Sequence, residues 1–112
     1  MANTPSMPRA KRLGAPEVDP AIIDNLRFAP IHYARDHGFD QNGGVIAAYD
    51  NTTNEELWTL KVYTNTYDLK MERDVQDVFI EALEPEGNRL VVTDERGNNY
   101  VVNIETRTAT KR

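Results

Sequence analysis

Between residues 43 and 110 the chain is cut by turn signals into short runs, and in the clearest of them apolar and polar side chains alternate. A period of two belongs to an extended strand with one buried face, and short runs separated by Asn, Asp and Gly spell a small antiparallel sheet. In the run 55–63, Leu57, Thr59, Lys61 and Tyr63 fall on one side and Trp58, Leu60 and Val62 on the other. The second set is wholly apolar, which places Trp58 in the sheet core. Ahead of it, Val45–Asp50 reads as a strand, joined through Asn51, Thr52, Thr53 and Asn54. Asn51 and Asn54 suit turn positions because an amide bonds the local backbone and tolerates left-handed dihedrals. Runs 89–93 and 99–104 flank a second turn in which Gly97 takes the left-handed position of a bulged hairpin. Leu90 and Val92 point inward from one strand, and Tyr100, Val102 and Ile104 from the other. Residues 109–111 form a short edge strand, with Lys111 and Arg112 discouraging pairing to another chain.

One segment carries competing patterns. In 70–84, Met71, Val75, Val78, Phe79, Ala82 and Leu83 recur at helical spacing, with Glu72, Arg73, Asp74, Asp77 and Glu81 largely opposite. The same stretch contains the alternation Val78, Ile80, Ala82, and Pro85 and Gly87 lie in a turn-sized gap before Arg89. The strand reading is preferred because it completes a meander; a helix over 71–84 would make the fold α+β. In 21–28, Ile22, Ile23, Leu26 and Phe28 lie close together, with Pro20 and Asp24 suited to a first helical turn. This predicts a short helix that ends before Pro30 and docks on the sheet. Residues 30–44 read as loop, with Gly38, Gly43 and Gly44 giving backbone freedom. Residues 1–20, rich in proline and poor in apolar groups, read as a flexible arm. The expected fold is mainly β: one domain over 21–112, a small antiparallel meander or partly open barrel of four to five strands with a docked N-terminal segment.

The run Gly44, Val45, Ile46, Ala47, Ala48, Tyr49, Asp50, followed by Thr53, Asn54, Glu55, Glu56, Leu57 and Trp58, resembles the hairpin of a quinoprotein-type β-propeller blade. Asp50, Thr53 and Trp58 stand at matching positions, and Asn54 replaces the usual glycine. The likeness covers about residues 44–58. It implies a β-meander and carries over no quinone or metal site.

Charge is unevenly spread. Residues 39–105 hold fourteen acidic against five basic side chains, whereas Arg9, Lys11 and Arg12 lie near one end and Arg107, Lys111 and Arg112 near the other. An acidic body repels phosphate backbones, so nucleic acid is not an expected partner. Cysteine is absent, which removes disulfides and thiolate chemistry. The first twenty residues lack the apolar run of a signal peptide or membrane span, so no membrane association and a cytoplasmic location are the default expectations.

No constellation for catalysis, metal or cofactor emerges. His32 and His37 match no strong metal-ligand spacing, and phosphate-loop and dinucleotide fingerprints are missing. The dense carboxylates of 68–86 read as a solvated acidic face. The sequence therefore points to a small protein-interaction or inhibitor-like regulatory module rather than an enzyme. Its expected contact residues are Tyr63, Tyr67, Asp68, Asp74, Asp77 and Glu81, facing an unknown protein partner. The alternative is a small-ligand-binding domain or enzyme with a pocket near His32, Tyr33 and Asp36. Open sheet edges, above all that of Val45–Asp50, favour a homodimer.

Overall fold

The computed structural model describes residues 14–67 and 76–112, which form eight strands in two antiparallel sheets. The first sheet contains β1 (Ala21–Ile23), β2 (Leu26–Pro30), β3 (Val45–Asp50) and β4 (Glu56–Lys61). The second contains β5 (Ile80–Glu86), β6 (Arg89–Asp94), β7 (Asn99–Asn103) and β8 (Thr108–Lys111). Strand order follows chain order in both. A 3-10 turn, Ala34–His37, lies in the long β2–β3 connection.

The mainly β, antiparallel reading holds, but a single meander or partly open barrel of four to five strands does not. There are two separate sheets, neither closed into a barrel. The extra strands come largely from residues 21–30, of which 21–28 were expected as a docked helix. They form a hairpin in which Ile23 pairs with Leu26 across a two-residue connection, and Asp24 takes a left-handed φ of 54°. Asp and Asn tolerate that dihedral, and β-branched Ile22 and Ile23 favour extended backbone. Pro30 is accommodated because β1 pairs only as far as Phe28, leaving the end of β2 without a neighbour on that side. β2 in turn pairs along β3, so the β3 edge, expected to be shielded by the N-terminal segment or by another subunit, is closed from within the chain.

The stretch expected as strand rather than helix is a strand from Ile80 onward; its residues 70–75 lie outside those described. Among the described residues there is no α-helix, and none long and apolar enough to cross a membrane. The hairpin over Arg89–Asn103 is as expected, with Gly97 at φ 86°. Of the expected N-terminal arm, residues 14–20 are described. Val18 packs against the core, and Ala15 N–H donates to Tyr33 Oη at 3.2 Å.

One apolar face of each sheet is buried in a common core. Ala21, Ile23, Phe28, Ile46, Ala48 and Val62 come from the first half of the chain, and Ile80, Leu83, Leu90, Val92, Tyr100 and Val102 from the second. Register explains how the large side chains fit. Ala21, Phe28, Ala48 and Trp58 lie side by side across β1 to β4. The rings of Phe28 and Trp58 meet edge to face, with centroids 5.9 Å apart, because the alanine between them leaves room. Trp58 is half-buried, its outer side covered by the Arg107 guanidinium at 5.1 Å. In the second sheet, buried Asp94 accepts from Tyr100 Oη at 2.9 Å, Asn98 Nδ2 at 3.1 Å and the backbone N–H groups of Arg96 and Asn98. Burial alone would raise this carboxyl's pKa, but those four donors hold it below the usual range. Burial and the neighbouring carboxylate push the Tyr100 hydroxyl up to about 12.

These contacts rank the core substitutions. Phe28→Ala, at a fully buried site, should cost about 3–5 kcal/mol in urea titrations, and Trp58→Ala should cost measurably less because part of the indole stays wet. Tyr100→Phe should cost about 1–3 kcal/mol, since it removes a donor from a buried carboxylate. A neutral Tyr100→Phe would show that Asn98 and the turn backbone suffice for Asp94.

Candidate functional site

Among the described residues, the outer face of the first sheet is covered at one end only. After β2 the chain turns back over β3, so that Ile31 and Ala34 bury Val45 and Ala47, with Phe39 and Tyr49 packed at the margin. This connection is tied down firmly. Ile31 N–H donates to the Val45 carbonyl and Gly43 N–H to that of His32, both at 2.8 Å. Buried Gln41 donates Nε2 to the carbonyls of Gly43 and Tyr63, and its Oε1 accepts from Asn65 N–H, all at 2.9 Å. Gly43 is obligatory here. Its φ is 78°, and a Cβ would sit 2.3 Å from the Val78 carbonyl oxygen.

At the uncovered end lies a row that crosses all four strands. Ile22 pairs with Arg27, Arg27 with Tyr49, and Tyr49 with Glu56 at a bulge that sets Leu57 beside it. Ile22 and Leu57 are 50% and 45% exposed; Ile22 lies between core-facing Ala21 and Ile23, and Leu57 precedes core-facing Trp58, which puts both on the outer side. Between them the Arg27 guanidinium lies 4.9 Å from the centroid of the Tyr49 ring. Arg27 Nη1 donates to Asn51 Oδ1 at 3.1 Å and Nη2 donates to Asn54 Oδ1. Asn54 reaches this position from a left-handed φ of 69°, at the end of the β3–β4 turn.

That turn is locked to the β1–β2 turn. Asp50 Oδ1 accepts from the backbone N–H groups of Thr52 and Thr53, and from Asn25 Nδ2 at 3.1 Å. Asn51 N–H donates to the Asn25 carbonyl, and Thr52 Oγ1 to Asn25 Oδ1. The bonds from Thr53, Thr52 and Asn25 hold the Asp50 carboxyl below its ordinary pKa. The two turns therefore fix the groups that fix Arg27. In the sequence, Arg27 and Ile22 are obscured because the apolar spacing of 21–28 also fits a short helix. Read as a hairpin about Asp24 and Asn25, the same residues alternate in and out, and that parity would have revealed them.

The residues expected from sequence to make contacts have varied placements. Tyr63 stacks on Tyr100, centroids 4.8 Å apart, and donates Oη to the Val78 carbonyl at 2.6 Å. Tyr67 donates to Asp77 Oδ1 at 2.6 Å beneath the Arg35 guanidinium, and Asp77 is buried. Burial, helped by Asp77, raises the Tyr67 pKa. Glu81 is exposed on edge strand β5, while Asp68 and Asp74 lie outside the described residues. Thus Tyr63, Tyr67 and Asp77 bind the chain to itself.

His32 and Tyr33 do come together, beside an open cleft of about 540 Å³ lined also by residues 15–19, Ala29 and Pro30. Asp36 is exposed on the 3-10 turn and does not line it. Both rings rest edge-on against Phe79, at 5.2 and 5.8 Å. His32 Nε2–H donates to the Pro16 carbonyl at 2.8 Å, which fixes the proton on that nitrogen and leaves the buried Nδ1 without a partner among the described residues. Among those residues, no group of three or more acidic or histidine side chains is placed to hold a metal ion.

Burial lowers the His32 pKa, outweighing the Pro16 carbonyl and Glu95, which both act to raise it. Below about 6.5, the ordinary histidine value, the unfolded chain takes up a proton that the folded chain refuses, so stability falls as pH falls toward the folded value. Urea midpoints at pH 7.5, 6.0 and 5.0 should decline for the native chain. His32→Gln, which keeps a donor for Pro16, should flatten the decline; an unchanged slope would remove His32 as its cause.

No family model matches the chain, and no curated protein matches it either. The resemblance of residues 44–58 to a propeller-blade hairpin is therefore not upheld. Its shared features have a local cause: Asp50 caps the turn at Thr52 and Thr53, and Trp58 follows on the core side of β4, as any hairpin with this turn chemistry would place them.

Proposed function

We propose that this chain is a small protein-interaction module and that it binds through the open end of the first sheet's outer face. The observation that carries this reading is the Arg27 guanidinium, held over Tyr49 by Asn51 and Asn54 and flanked by exposed Ile22 and Leu57. Arg and Tyr are the side chains that most often anchor interfaces. Holding the long arginine chain in place beforehand removes ordering entropy that binding would otherwise cost, about 0.5–1.5 kcal/mol for such a side chain. The apolar flanks supply area whose burial favours association.

Capture from source-cell extract should be run in parallel with the native chain and with Ile22→Ser/Leu57→Ser, and the partner then identified and titrated by calorimetry. The expected result is at least a tenfold loss of affinity in the double variant at an unchanged melting temperature. Full affinity in that variant would refute the assignment of this face.

A second reading places a small ligand in the cleft at His32 and Tyr33. The buried, unpartnered Nδ1 of His32 supports it, because an acceptor of that kind gains from a ligand donor. A ligand there should shift the His32 ring nitrogen resonances and leave those of Arg27 unmoved.

A further inference from the structure

Building on the interaction module proposed above, we infer that its partner presents a short segment with one carboxylate set between apolar side chains, and that Arg27 receives that carboxylate. The guanidinium carries five N–H donors; two are spent on the neutral amide oxygens of Asn51 and Asn54. Among the described residues no carboxylate lies within ion-pair distance of it. The ion pairs there join Lys61 to Asp40 and Arg112 to Glu86. The row thus holds a fixed cation whose charge is not neutralised and whose remaining donors suit the planar fork of a carboxylate.

The surroundings select among anions. Asp24, Glu55 and Glu56 are exposed about the same two turns, and the whole chain carries a formal net charge of −5. A polyphosphate backbone meets repulsion across that border, whereas a single carboxylate placed on Arg27 does not. Ile22 and Leu57, on opposite outer strands of the row, ask for apolar side chains on both sides of the acidic one. The occupant is accordingly a protein segment of apolar, acidic, apolar pattern.

A display library of random twelve-residue peptides, selected on the full-length chain, tests this directly. Selected peptides should carry one Asp or Glu flanked by Leu, Ile, Phe or Trp. By fluorescence anisotropy, Arg27→Gln should weaken them at least tenfold, and Arg27→Lys should restore only part of the loss. Replacing the peptide's carboxylate by its amide should cause the same loss on the native chain and add little on Arg27→Gln, as a shared contact requires. The peptide-side change reads the contact even if Arg27→Gln fails to fold. Peptides that lose affinity with Ile22→Ser/Leu57→Ser yet contain no acidic residue and ignore Arg27→Gln would overturn the carboxylate and leave the binding face standing. Peptides indifferent to all these changes, or a selection that yields no binder, would overturn both.

Discussion

Each four-stranded sheet has one apolar face, and the two faces are buried in one core. An isolated sheet of this size would leave that surface in water at about 25 cal/mol per Å², so neither half of the chain is expected to persist without the other. The closest test of fit lies in the first sheet, where small and large residues alternate across Ala21, Phe28, Ala48 and Trp58. The methyl of Ala48 lets two aromatic rings from strands that are not neighbours meet above it. A bulkier residue there would separate the rings and force strain into a packed core, typically about 1–3 kcal/mol.

Burying one face of β3 in the core leaves the other needing cover, and the β2–β3 connection provides it. Besides its apolar contacts, the cover is held by polar bonds: Gln41 bridges Gly43, Tyr63 and Asn65, while Asn42 and Tyr67 engage Asp77. Such a network is stabilising because nearly all its members are satisfied. It also ends abruptly. Beyond Tyr49 the connection no longer covers the sheet, and the row Ile22, Arg27, Tyr49, Leu57 stands at that limit.

The candidate face is thus a product of two turns whose main task is structural. Asp50 closes its own hairpin and Asn25 cross-links the two turns, and this places Asn51 and Asn54 where an arginine from β2 can reach both. An arginine confined in this way has lost most of its rotamer freedom before any partner arrives.

Local chemistry made much of this protein readable. The alternation of Trp58, Leu60 and Val62, the turn at Asn51–Asn54 and the hairpin about Gly97 depend on side-chain parity and on left-handed dihedrals, both properties of short stretches of chain. Residues 21–28 could not be read in that way, because their apolar spacing fits a short helix as well as a two-strand hairpin, and only pairing with β3 decides between them. The same is true of the site. That Tyr63, Tyr67 and Asp77 turn inward depends on Tyr100, Val78 and Asn42, partners distant in sequence. That Arg27 lies over Tyr49 depends on a register set 22 residues away. Outside residues 21–28 and 70–84, sequence alone determined where the chain extends and where it bends. Tertiary structure decided which side chains meet, because burial of one face in the core selects the register, and the register selects every neighbour.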